Sequence, residues 1–234
     1  AAYLLSVQDP NGRFGPSCSA TMYNHGIATT ALLKLYERTP QSELRESLGR
    51  AVAQVLRAQT KKGGWGYLGL PEETPNTSAP AWQLQALHEA ARLGWQDARR
   101  FLASGAGFVE GLVRPDGGVG YGASPADEGF VLNAAGAFCL LAHPDAAVRV
   151  RGSRILEAAF SGNEQTRPID PYSTFFLSEA SRAAGGNDKS ALAIESRRQA
   201  IAQTQVRSGP NLGSFPASID PRGAAGGSVY TTAL

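Results

Sequence analysis

Apolar positions along the chain follow two alternating patterns. In the first, one helical face is apolar: Leu44, Leu48, Ala51, Val52 and Val55 recur at i, i+4, i+7, i+8 and i+11, with Glu43, Glu46, Arg50 and Arg57 opposite. Val148, Ile155 and Leu156 among Arg149, Arg151 and Arg154 repeat the pattern, as do Ala191, Ile194 and Ile201 among Glu195, Arg197 and Arg198. In the second, a polar or Ser/Thr start leads into a run that is apolar or small nearly all round. These runs begin at Asn24-His25-Gly26, Thr77-Ser78-Ala79, Glu128-Gly129-Phe130, Pro171-Tyr172-Ser173 and Ser228-Val229-Tyr230. Pro40, Gly94, Pro144 and Gly185-Gly186 mark their ends. No segment alternates with period two for long enough to read as a strand, so the chain is expected to be all-α.

Glycine-rich turns separate the two kinds of helix, and they recur. Gln8-Asp9-Pro10-Asn11-Gly12-Arg13-Phe14-Gly15 aligns with Gln59-Thr60-Lys61-Lys62-Gly63-Gly64-Trp65-Gly66, 51 residues on. Arg114-Pro115-Asp116-Gly117-Gly118-Val119-Gly120 is a third copy, and Gln205 through Gly213-Ser214-Phe215 a looser one. A further unit, its glycines gone, falls at Arg167-Pro168-Ile169-Asp170-Pro171. Five units of about 50 residues result, and a fixed period of this length marks a repeat architecture. Helices apolar on every side need covering on every side, so they form an inner layer, and the amphipathic ones form an outer layer with one wet face. The long aromatic-bearing connection in one direction and the short return favour a ring over an open solenoid.

The turns at Gln8–Gly15 and Gln59–Gly66 resemble the QW-type motif of the prenyltransferase and squalene-cyclase repeat families. That resemblance spans the five units and implies an α/α toroid whose inner-helix starts surround a central cavity, which in the active families holds an isoprenoid. It also implies that Phe14 and Trp65 pack between the layers. The catalytic motifs of those families are missing. No D-x-D occurs anywhere, so the DxDD acid of the cyclases is absent, and so is any DDxxD-like cluster for magnesium. The Asp-x-Cys and distant His of a prenyltransferase zinc site are not found, since Ala137 and Pro16 stand two residues before Cys139 and Cys18. A Gly-Cys-Gly-Glu-Gln thioester run is likewise missing. No metal or cofactor is expected.

Two readings of function follow. One is a non-catalytic toroid that binds an apolar small molecule, or a peptide or protein, in its ring. The other is a terpene-cyclase or prenyl-transfer enzyme with a diverged acid, for which Asp127, Glu128 and His25 are the candidates. Tyr23, Asn24, Trp82, Tyr172 and Tyr230 sit at inner-helix starts and are the candidate ligand-binding residues, aromatics there being suited to cation–π or apolar contact. The same residues also suit plainer roles: Asn24 or Asp127 as helix caps, His25 and Glu128 in a first turn, and the aromatics as core.

Composition narrows the partners. The 234 residues carry 22 basic and 20 acidic side chains, a net charge of +2, and the arginines are scattered, which excludes a nucleic-acid-tracking stripe. Glycine numbers 27, well above the roughly 7% of average chains, and most of the excess lies in the turns. Two cysteines exclude a disulfide scaffold. No run reaches the length of a membrane span, and the Ala-Ala-Tyr-Leu-Leu start lacks the basic region of a signal peptide. Residues 1–234 are expected to form a single toroid-like domain, excerpted from a longer chain.

Overall fold

A computed structural model of the chain describes residues 1–15, 21–122, 129–161 and 169–219. Helices in chain order are α1 (Ala2–Ser6), α2 (Thr21–Arg38), α3 (Ser42–Arg57), α4 (Ser78–Arg92), α5 (Asp97–Glu110), α6 (Gly129–Leu141), α7 (Ala146–Ser161), α8 (Pro171–Ala183) and α9 (Asp188–Gln203). Among the described residues there is no strand, and an isolated bridge between Val113 and Val119 pinches the third turn. The all-α expectation and the two-layer arrangement both hold. Helices α2, α4, α6 and α8 form the inner layer, α2 packing on α4, α4 on α6 and α6 on α8. Each inner helix is backed by the outer helix that follows it, α3, α5, α7 and α9 in turn. The fifth inner run, with Tyr230, lies outside the described residues.

Burial follows the sequence pattern closely in the middle of the ring. From Ser78 to Ala90 every residue of α4 is buried except His88, and from Val131 to Leu141 every residue of α6 except Asn133. On α3 the stripe Leu44, Leu48, Ala51, Val52 and Val55 is buried, with Glu43, Glu46, Arg50 and Arg57 exposed. Helix α9 departs from its expected face. Ala191 is exposed, while Arg197 is buried and donates from Nη2 to Ser173 Oγ at 3.0 Å and from Nε to Thr174 Oγ1 at 3.2 Å. A weakly apolar helix places its face by whichever side chains find partners, and here α8 offers two hydroxyls to a guanidinium.

The repeat is a repeat of hydrogen bonds. In the first three turns a backbone N–H reaches the carbonyl four residues on: Asp9 to Arg13 at 3.0 Å, Thr60 to Gly64 at 2.9 Å, Arg114 to Gly118 at 2.8 Å. In each, the glycine three residues on donates back, and Gly12, Gly63 and Gly117 share φ values of +89°, +91° and +83°. That left-handed conformation carries no steric penalty for glycine alone. The glutamine clamps two of these turns to the next outer helix. Gln8 Nε2 donates to Gly12 O and to Ser47 O of α3, both at 2.9 Å, and Gln59 Nε2 donates to Gly63 O at 2.7 Å and to Phe101 O of α5 at 3.0 Å. Phe14 and Trp65 are fully buried between the layers, and Trp65 Nε1 donates to Val55 O at 2.8 Å.

The third turn has Val113 where the others have glutamine, and the layers part there. A cleft of about 340 Å³ opens between Arg114–Gly118 and the α7 residues Ile155, Ala158 and Ala159.

Helix starts and stops are local. Asp170 caps α8 by accepting the Ser173 N–H at 2.7 Å, with Pro171 in the first turn, and Asn187 and Ser190 form a reciprocal capping box on α9. Asn24 is not the cap of α2: the helix starts at Thr21, and Asn24 lies exposed within its first turns.

Candidate functional site

The two end helices of the described inner layer, α2 and α8, are each uncovered along one stripe. On α2 the stripe is Tyr23, Ile27, Ala31 and Lys34, at i, i+4, i+8 and i+11, with Ala31 exposed and the others partly so. On one flank Gly26, Thr30 and Leu33 are buried, while Asn24 and Leu35 on the other are exposed. On α8 it is Phe175, Ser178 and Arg182, partly exposed to exposed. These stripes face one another. Lys34 Nζ lies 3.4 Å from Glu179 Oε1 and 5.9 Å from the centre of the Phe175 ring. Between them lies α4, which presents Trp82 and Gln85 to α8. The result is a groove walled by α2 and α8 and backed by α4, apolar at Tyr23, Ile27, Ala31 and Phe175 and polar at Lys34, Ser178 and Arg182.

Aromatic rings make up the back of this groove. Trp82 stacks on Phe175 with ring centres 5.0 Å apart and 29° between planes, and it meets Phe176 at 4.8 Å and Tyr172 at 5.9 Å. Phe176 continues the cluster to Phe138 of α6 at 6.0 Å. Trp82 is 3% exposed and Tyr172 1%. The structure thus brings together Trp82 and Tyr172, two of the candidates named from sequence, and adds Phe175, which sequence reasoning passed over. The signal for Phe175 was available, because it stands three residues beyond Tyr172 on the same inner helix.

At the N-terminal ends of α2 and α4 three half-buried tyrosines converge. Tyr23 stacks on Tyr67 with ring centres 5.7 Å apart. The Tyr67 hydroxyl bonds with that of Tyr121 and lies 3.2 Å from Ser78 Oγ. Tyr67 and Tyr121 belong to the connections between layers, and nothing in the periodicity singled them out.

At the opposite end a charged network closes the groove. Glu179 accepts from Gln85 Nε2 at 2.6 Å and Arg182 Nη2 at 2.8 Å, and Arg182 reaches on to Glu89 at 3.2 Å. Glu89 also accepts from Arg92 Nε at 3.0 Å, and Arg92 pairs with Glu37 at 2.5 Å. Three acids meet three bases, on α2, α4 and α8. Burial opposes ionisation of Glu179, but the hydrogen bond from Arg182, the nearby Lys34 charge and the Gln85 bond outweigh it and hold its carboxyl below the usual range.

His25 stands away from the groove, between the layers. Its Nδ1 accepts the Phe14 N–H at 3.1 Å, and its Nε2 lies 3.0 Å from Ala51 O of α3. With one nitrogen accepting from an amide and the other donating to a carbonyl, the ring is neutral. Burial pushes its pKa down to about 4, against a smaller raising effect of the Ala51 carbonyl. Burial likewise raises the Cys139 thiol far above its ordinary value, as befits a small buried hydrophobe. Asp127 and Glu128 lie outside the described residues. Among the described residues no group of three or more His, Cys, Asp or Glu is gathered as a metal site, and no helix is long and apolar enough to cross a membrane.

No family model matches the sequence, and a search of curated proteins finds no match. Solved structures do match. The chain is similar to the type II terpene cyclase MstE from Scytonema, whose ligand-free form superposes with a TM-score of 0.60 at 19% identity, covering 93% of this chain and 68% of that one. A ligand-free variant of the same cyclase gives 0.60 at 21% identity, covering 89% and 62%. A variant in complex with its substrate, geranylgeranyl dihydroxybenzoate, gives 0.58 at 19% identity, covering 88% and 62%. The chain therefore spans roughly two thirds of the cyclase's length. It has the α/α-toroid fold of the type II terpene cyclases, as its repeated turns implied.

Proposed function

We propose that this toroid binds an apolar, isoprenoid-like molecule in the groove between α2 and α8 and carries out no chemistry on it. The observation that carries the proposal is the open apolar stripe Tyr23, Ile27 and Ala31 opposite Phe175. An inner helix in a two-layer fold is expected to be covered on every side, and uncovered apolar surface backed by an aromatic cluster is what a ligand groove presents. The cyclase of like fold has been seen with a geranylgeranyl-bearing substrate, which supports an isoprenoid as the class of ligand.

Absence of chemistry is supported by the acids in view. Glu89 and Glu179 are ion-paired with arginines, and Asp170 accepts the N–H and the hydroxyl of Ser173. Alkene protonation needs a carboxyl that holds a proton until it is delivered, whereas Arg182, Lys34 and the Gln85 amide hold Glu179 below the usual carboxylate range.

The test is a titration of the 234-residue chain with geranylgeraniol and shorter prenyl alcohols, read by tryptophan fluorescence, with mass spectrometry of an organic extract of the purified protein beside it. Binding in the groove changes the emission of wild type and leaves Trp82→Phe silent, because Trp65 and Trp95 lie elsewhere. No response to any prenyl chain, together with a clean extract, overturns the reading. Cyclised products after incubation with geranylgeranyl substrates would make the chain an enzyme instead, and would direct attention to Asp127 and Glu128 as proton source.

A further inference from the structure

The outer helices α5 and α7 share one register, and it isolates a difference between them. Ala98, Leu102, Gly105, Ala106 and Val109 are buried on α5, and Val148, Gly152, Ile155, Leu156 and Ala159, each 50 residues on, are buried on α7. In that register Ala158 stands where α5 has Phe108. The Phe108 ring packs so closely on the second turn that a Cβ on Gly64 would lie 2.6 Å from its Cδ1. On α7 an exposed methyl group replaces the ring, and the cleft of about 340 Å³ beside the third turn has Ala158 in its wall.

Two polar side chains give this cleft its chemistry. Asn133 lines it, on an inner helix that is otherwise buried from Val131 to Leu141. Its Oδ1 accepts the Val119 N–H, which fixes the orientation of the amide, and among the described residues its Nδ2 is neither bonded nor buried. Arg114 lies across the cleft from α7, its guanidinium against Gly118 and paired with Asp116 at 3.2 Å. The lining thus offers a planar cation on which a ring can stack, an N–H donor on the inner-layer side, and an apolar floor of Ile155 and Ala159. Its one cation and one anion are paired with each other, so the lining carries no net charge.

We propose that this cleft is a second binding site, sharing no residue with the groove between α2 and α8, and that it takes a small uncharged aromatic molecule bearing a carbonyl. The ring takes the place that the Phe108 ring has in the preceding unit and stacks on the Arg114 guanidinium, and the carbonyl oxygen accepts from Asn133 Nδ2.

Proton–nitrogen correlation NMR of the 234-residue chain tests this, with acetophenone and α-methylstyrene as probes, the second having the same shape with a methylene group in place of the carbonyl oxygen. Acetophenone is expected to shift the backbone amides of Gly117 and Gly118 and the side-chain amide of Asn133 saturably. It is expected to bind about fivefold more tightly than α-methylstyrene, as one hydrogen bond allows. Ala158→Phe, which supplies the ring from α7 as Phe108 does from α5, abolishes the response to both probes. Asn133→Asp keeps an acceptor for the Val119 N–H and removes the donor, and it brings the two affinities to within about twofold. The wild-type shifts and the wild-type ratio stand as readouts independent of either variant. Absence of saturable shifts at Gly117, Gly118 and Asn133 overturns the site, as does a response that survives in folded Ala158→Phe. Equal affinities for the two probes in wild type overturn the carbonyl assignment. Excess geranylgeraniol leaves the acetophenone shifts in place, and displacement by it would overturn a site separate from the groove.

Discussion

His25 and Asn133 do the same job in the first and third units of the ring. Each stands one turn into an inner helix and accepts the backbone N–H of the turn hydrophobe, His25 from Phe14 at 3.1 Å and Asn133 from Val119 at 2.8 Å. The bond fixes the turn to the inner layer as the glutamine fixes it to the outer one. His25 goes further by reaching Ala51 O, so that one ring joins α2, the first turn and α3. A histidine at an inner-helix start, open from sequence to a role in proton handling, is thus a neutral three-way brace.

Stability should therefore depend on pH through His25. Its folded pKa, about 4, lies below the ordinary value of 6.5, so the unfolded chain binds the extra proton first. The contribution is fully present above pH 6.5, declines as the pH falls, and is gone below about 4. A shift of that size corresponds to something on the order of 3 kcal/mol. Urea midpoints between pH 4 and 7 should slope in wild type and flatten in His25→Asn, which keeps an acceptor for the Phe14 N–H. His25→Ala should lose more stability at pH 7 than His25→Asn does.

The glycines of the turns are not equivalent. A Cβ on Gly63 would lie 2.5 Å from Ser104 O, and one on Gly12 2.3 Å from Arg50 O, whereas one on Gly117 meets nothing within 4 Å. Gly117→Ala should thus cost the left-handed backbone penalty alone, about 1–2 kcal/mol. Gly63→Ala should cost several kcal/mol, because the turn must move off α5 and the Gln59 bond to Phe101 O goes with it. Denaturant melts of the two variants decide the point. Similar losses would mean that the turns are not clamped to the outer helices.

Trp65→Ala should cost about 3–5 kcal/mol, the usual figure for truncating a buried aromatic. Trp65→Phe should recover most of that loss and leave Val55 O without its donor. A loss below about 1 kcal/mol on truncation would contradict a turn aromatic packed between the layers.

Within the network at the closed end of the groove, burial sets the ranking. Glu89 is 2% exposed and serves two arginines that remain partly solvated, so Glu89→Gln should cost about 1–3 kcal/mol. Glu37 is paired with the same Arg92 but stands in solvent, and Glu37→Gln should leave the melting temperature unchanged. A thermal melt of each variant suffices. Equal effects would mean that the pairs act as surface charges only.

The glycine–aromatic interval, the alternation of amphipathic and all-round apolar runs, and the stop signals at Gly94 and Gly185-Gly186 are local in the chain. They determined the helices, the two layers and the burial of Phe14 and Trp65. They also marked Trp82 and Tyr172 as inner-layer aromatics. Periodicity states which face of a helix is apolar, not which element covers it. Only the tertiary structure decided that α8 returns to α2, where Lys34 meets Glu179 across 145 residues, and that Tyr23, Ile27 and Ala31 are partly exposed to exposed while α4 and α6 are almost wholly buried. It also turned His25 from the ring toward Phe14 and Ala51, and stacked Phe175 on Trp82. These relationships rest on side chains that no local signal links, because ring closure and helix rotation are settled by packing across the whole molecule.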